Sequence, residues 1–219
     1  MNQRRHLDQL WRVAQKRYRR LRAESLKLAV STADPEARRR RVPLLMIDGI
    51  NQWSNFARSF FLSSALGCRS QGGRWIVGGG LPTARQREVI VAAIHAAAPR
   101  NVVQLPPAGP IDRRLEPTWS DPNVLIQAGQ AIGLTNQQDI INAFSPFPGF
   151  IVDWLCVRNF YAHRNADAYE SARTVLTRHG VVFGSDVSEW MLRAGLAGYR
   201  PLLVDWCLEM ELRCEYLCV

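Results

Sequence analysis

The sequence predicts an all-α protein, a helical bundle carrying a glycine- and proline-rich irregular insertion. Three observations predict it. Leu7, Trp11, Ala14, Tyr18, Leu21, Ser25 and Leu28 recur at steps of three and four, the spacing of one helix face. From residue 121 onward, helix caps and helix stops follow each other at regular intervals. Strand signals are confined to the short runs RWIV and GVVF.

Taken in order, the first helix keeps that apolar stripe on one side, with Arg12, Lys16 and Arg19 on other faces. The stretch TADPEARRRR breaks it, with Pro35 as a boundary, and a second helix is expected from VPLLMIDG through SSAL, stopping at Gly67. Residues 67–122 change character, being glycine-rich at GCRSQGGRWIVGGGLP and proline-rich at NVVQLPPAGP. They read as an insertion or lid within a single helical domain spanning 1–219. The triple glycine at 78–80 lacks the spacing of a phosphate-binding loop and reads as a flexible turn. Inside the insertion, a Thr83/Gln86 capping box opens a short helix that closes before Pro99.

Asp121 caps the next helix with Pro122 at its first position, and a Thr135/Gln138 box opens another over NQQDIINAF. An SPFPG turn at 145–149 then feeds the apolar helix GFIVDWLCVRNFYAH. Beyond it, AYESARTVLTRHG reads as a helix ending at Gly180, an Asp186/Glu189 box starts a further one, and Pro201 stands near the start of the last.

The bulk numbers narrow the function classes. At 47% hydrophobic and 21% charged, the 219-residue chain has the composition of a folded globular protein rather than a disordered one. Its net charge is +9, and of 28 basic residues only Lys16 and Lys27 are lysines. Arginine's planar fork suits phosphate oxygens, so a polyanion such as nucleic acid is the expected partner. The charge gathers near the N-terminus and in the ARRRR run at 37–41. The five cysteines are odd in number and irregularly spaced, which fits reduced thiols in the cytoplasm. No run reaches the about 18 apolar residues that a membrane span requires.

The stretch VRNFYAHRN raises the sharpest functional question, because three polar groups close an otherwise apolar helix. Asn159 and His163 stand one turn apart on one face, and Arg158, beside Asn159, is long enough to swing toward them. Metal-free RNA cleavage needs a base for the ribose 2′-hydroxyl proton, a positive charge on the phosphorane and a donor that orients the phosphate. Histidine, arginine and asparagine supply those three functions. A looser match, Arg173 and His179, lies in a more polar helix, where His179 favours the C-terminal dipole.

An apolar helix ending in R-N-x-x-x-H within a helical chain resembles the HEPN superfamily, whose ribonuclease members carry an R-x4–6-H motif with a polar residue after the arginine. The likeness covers most of the chain outside 67–122. It implies a metal-independent endoribonuclease, without cofactor, that leaves 2′,3′-cyclic phosphate and 5′-hydroxyl ends. Catalysis would fall to Arg158, Asn159 and His163. It also implies a homodimer with a composite cleft, and a toxin or antiviral effector that a regulatory partner such as an antitoxin restrains. Arg12, Lys16, Arg19 and Arg164 are secondary candidates for holding RNA.

Plainer alternatives stand beside this reading. Arg158 and His163 could form a structural pair, or the domain could be a catalytically silent, arginine-rich module that binds RNA or a protein partner. Cys207, Cys214 and Cys218 share a helix face and suit core packing better than zinc. Trp75 and Trp119, in the irregular region, are candidates for stacking on bases.

Overall fold

The computed structural model describes residues 6–30, 34–79, 85–98, 108–145, 149–182, 184, 186–196 and 198–219. Among them the chain is all-α, with nine helices and one two-stranded hairpin. No single described helix is long and apolar enough to cross a membrane. The chain gathers into two compact units. Unit 1 comprises Met1–Ala14, Trp53–Pro148 and Arg213–Val219, and unit 2 comprises Gln15–Gln52 and Gly149–Leu212.

Helix α1 (Leu7–Val30) keeps every member of its predicted stripe buried, from Leu7 to Leu28. Helix α2 (Pro35–Leu66) starts earlier than the sequence led us to expect, so the arginine run is helical rather than part of a break. Asp34 explains this, because its side chain and carbonyl accept from the amides of Glu36 and Ala37, and Pro35 suits a first turn that needs no amide donor. An Arg40–Glu36 pair one turn apart adds support.

In unit 1, the hairpin β1 (Cys68–Arg69) and β2 (Trp75–Ile76) pairs Cys68 with Ile76. Helices α3 (Gln86–Ala97), α4 (Pro122–Ala131) and α5 (Gln137–Phe144) follow. Thr83 of the predicted box lies outside the described residues, and α3 is opened instead by the Arg85 amide donating to the Glu88 carboxylate at 2.9 Å. Asp121 caps α4 as expected, with Pro122 at its first position. The Thr135/Gln138 box does not form. Thr135 spends its hydroxyl on the Val77 amide and its own amide on the Val77 carbonyl. With Gly79 donating to the Gly133 carbonyl at 2.9 Å, this ties 77–79 to 133–135 and replaces the expected flexible turn. Glycine suits the close approach, since a Cβ on Gly79 would stand 3.2 Å from that carbonyl oxygen, a few tenths of an ångström too near. Gly80 lies outside the described residues.

Trp119 is core rather than a base-stacking surface. It is buried against Phe61 and donates to Glu116, whose carboxylate also takes two bonds from Arg58 at 2.5 and 2.6 Å. Trp75, by contrast, is half exposed.

In unit 2, α6 (Gly149–His163), α7 (Ala166–Arg178) and α8 (Val187–Met191) join parts of α1, α2 and α9 (Leu202–Cys218). Of the predicted turn before α6, residues 146–148 lie outside the described set. Val181 and Val182 form no strand, and Phe183 of that run is outside the described residues. Asp186 caps α8 by accepting from the Ser188 amide, but Glu189 turns to Arg38 instead of closing a box. Cys207, Cys214 and Cys218 are all buried, as their shared face predicts. The centre of unit 2 is built on Trp154, fully buried, whose indole donates to the Met46 carbonyl at 3.0 Å. It sits against Gly49 of α2, whose carbonyl in turn accepts from Tyr18 at 3.0 Å.

Candidate functional site

The burial pattern of α6 decides where its polar residues go. Phe150, Ile151, Trp154, Val157 and Tyr161 are buried and fix one face inward. At about 100° per residue, Arg158 leaves the helix beside that face, while Asn159 and His163 leave on the opposite side. Accordingly Arg158 is half-buried, and Asn159 and His163 are exposed. The structure brings Arg158 and Asn159 together, the guanidinium donating to Asn159 Oδ1 at 3.2 Å. Among the described residues neither is bonded to His163, which has no hydrogen-bond partner there. Arg158 Nε is buried with no described partner, a placement that costs about 1–3 kcal/mol when left unmatched.

Immediately after His163 the backbone turns sharply. Arg164 has a φ of 49°, the one positive value outside glycine among the described residues, and its amide donates to the Phe160 carbonyl at 2.8 Å. An L-residue other than glycine or asparagine costs about 1–2 kcal/mol in this left-handed position. Asn165 then caps α7, accepting from the Ala168 amide at 2.8 Å. The corner between α6 and α7 is thus fixed on both sides, and the Arg164 side chain is exposed with no described ion pair.

Beside that corner lies an open cavity of about 420 Å³, lined among others by Arg39, Phe160, Tyr161, Arg164, Asp186 and Ser188. Its wall is well fixed. Tyr161 and Ser188 share a hydroxyl–hydroxyl bond at 3.3 Å, and burial pushes the Tyr161 phenol well above its usual range. Phe160 rests on Tyr169, which rests in turn on Trp190. The Arg39–Asp186 pair, at 2.6 Å, forms one rim and raises the Arg39 guanidinium above its ordinary value.

The charge clusters look different once paired. Each arginine of the 38–41 run has a carboxylate partner: Glu189, Asp186, Glu36 and Glu24 in turn. Arg12 pairs with Asp8, and Arg19 with the buried Glu211, which Arg22 also contacts. Lys16 and Arg164 remain as exposed cations without a described carboxylate. Sequence reasoning missed two more on α1, Arg17, bonded only to Gln52, and Arg20. Charge density along the helix was visible, but the choice of acidic partners depends on long-range packing.

His179, set aside in favour of His163, is the better held histidine. Its Nε2 lies 3.0 Å from Asp153 Oδ2, and Arg178 donates to Oδ1 of the same carboxylate at 2.7 Å. Asp153 is buried, so this trio ties the end of α7 to α6. The signal for it was Asp153 itself, a carboxylate inside an apolar run. Among the described residues no three His, Cys, Asp or Glu side chains gather as ligands for one metal ion.

Comparison with protein-family models, with curated proteins and with solved structures finds no match to this chain.

Proposed function

We propose that the protein is a metal-independent endoribonuclease whose catalytic groups are Arg158, Asn159 and His163. The observation that carries this reading is an exposed imidazole on the same face of α6 as an exposed amide one turn before it, the amide already holding an arginine at 3.2 Å. In the reaction His163 takes the proton of a ribose 2′-hydroxyl. The 2′-oxygen attacks phosphorus, the bond to the 5′-oxygen breaks, and the proton passes to that leaving oxygen. A 2′,3′-cyclic phosphate and a 5′-hydroxyl result. Arg158 opposes the charge that builds on the phosphorane, and Asn159 holds the arginine and the phosphate in register.

Arg158 and His163 leave α6 about 140° apart, five residues at about 100° each. That separation favours a cleft completed by a second copy of the chain, with the arginine of one motif facing the histidine of the other. The same reading makes the protein a toxin or antiviral effector held in check by a partner, so unrestrained expression should arrest growth.

The test is RNA cleavage in EDTA by wild type, Arg158→Ala and His163→Ala, with folding followed by circular dichroism. We expect cleavage by wild type, cyclic-phosphate ends, and loss of at least a hundredfold in both folded variants, the range general acid–base groups contribute. Activity that survives in both variants, or none in wild type across varied RNA substrates, refutes the assignment.

A further inference from the structure

The cavity at the corner between α6 and α7 has features that the catalytic triplet does not use. It is large enough for a small ligand, falling within the about 300–1,000 Å³ typical of such sites. One wall presents the aromatic ring of Phe160, and the mouth carries Arg164, a cation without a described carboxylate. Acceptors complete the lining. Asp186, which also accepts from Arg39 and from the Ser188 amide, and the Ser188–Tyr161 hydroxyl pair are there. The backbone at Arg164 is the strained point. It takes the left-handed conformation that commonly closes a helix, and a glycine or asparagine would sit there more comfortably.

An aromatic wall, one free guanidinium at the rim and several acceptors match a nucleotide: a base with donor groups, a ribose with hydroxyls and a phosphate. We propose that this cavity is a nucleotide-binding subsite, with Arg164 on the phosphate and Phe160 against the base. Its role in seating the nucleotide next to the cleaved phosphate rests on the ribonuclease reading, whereas binding itself does not. Arg39, already matched by Asp186, shapes the rim and adds little net charge.

The experiment measures binding of adenosine 5′-monophosphate and of inorganic phosphate to the full chain by calorimetry, for wild type, Arg164→Gly and Arg164→Asn. Both substitutions tolerate the left-handed backbone, so their melting temperatures should equal or exceed that of wild type. We expect the nucleotide to bind wild type at least tenfold more tightly than phosphate, and both variants to lose at least tenfold. No nucleotide binding by wild type up to about 10 mM overturns the proposal, since even weak subsites register below that. So does equal binding by either folded variant. Phosphate binding as tight as the nucleotide reduces the cavity to an anion hole and overturns the assignment to a nucleotide. Nucleotide binding that depends on Arg164, in a protein that cuts no RNA, leaves the subsite and removes the nuclease. Cleavage without nucleotide binding does the reverse.

Discussion

Gly49→Ala tests how α6 is seated, because everything at its C-terminal end depends on Trp154. In an exposed helix the change would add about 1 kcal/mol of stability, the ordinary difference in helix propensity. Here the new Cβ would stand 2.2 Å from Trp154 Cζ2 and 2.7 Å from Cη2. Carbon atoms in contact prefer about 3.5–4.0 Å, so the indole must retreat by more than about 1 Å. It has little room to do so, being fully buried, bonded to the Met46 carbonyl at 3.0 Å and packed on Trp206 at 5.8 Å. Overpacking costs about 1–3 kcal/mol, and loosening the indole bond about 1 more. The net expectation is a loss of about 1–3 kcal/mol, read by urea unfolding followed by tryptophan fluorescence. Combined with Trp154→Phe, which removes the crowding ring, Gly49→Ala should cost less than it does alone. Unchanged or raised stability in Gly49→Ala, or strict additivity in the double variant, refutes the contact.

Two further predictions concern the surface. Cys156 is the one half-exposed thiol, raised above its ordinary value by partial burial and Asp153, while burial pushes Cys68 up to about 11 and raises Cys207 and Cys218 further; a disulfide reagent at mildly alkaline pH should therefore titrate one thiol well ahead of the other four, which react only in denaturant. Rapid reaction of two or more in the native protein refutes that burial. If RNA is held by the cations of α1 and of the C-terminal end of α6 that have no described carboxylate, Lys16, Arg17, Arg20 and Arg164 with Arg158, the slope of log affinity against log salt should be about −2 to −4. A slope near −7, which about ten phosphate contacts give, means that the paired arginines open on binding.

Sequence legibility followed the range of the interaction. The α1 stripe, the Asp121 cap with Pro122, and the buried cysteine face of α9 each depend on residues within a turn or two, and each appears where the pattern puts it. The misread elements involve partners far along the chain. Thr135 had the right spacing for a capping box, yet the Val77 strand end, 58 residues away, captured its hydroxyl. Trp119 sat in a stretch rich in glycine and proline nearby, which suggested exposure, but Glu116 and Phe61 draw it inward. The α6 motif was legible as three residues and as one exposed pair. That Arg158 would lie on the inward flank required knowing which side Trp154 takes, and that is set by Gly49. The cavity was not legible at all, since its walls come from α2, α6 and α8.

The arginines show why composition alone overstates an anion-binding surface. A net charge of +9 suggests a broad basic face, and ARRRR suggests its centre. Yet all four arginines at 38–41 end on carboxylates, three of them on residues from outside their own helix. Three of these four partners are half-buried acids outside α2, so these arginines tie α2 to its neighbours within unit 2, each pair at modest gain. What remains for a ligand is set by which cations lack a carboxylate, and on α1 and at the end of α6 those are Lys16, Arg17, Arg20, Arg158 and Arg164. Arg164 is the one among them that also sits on strained backbone, at the mouth of a cavity and next to the proposed catalytic histidine. Its place at that mouth argues for function there more strongly than the whole of the arginine count.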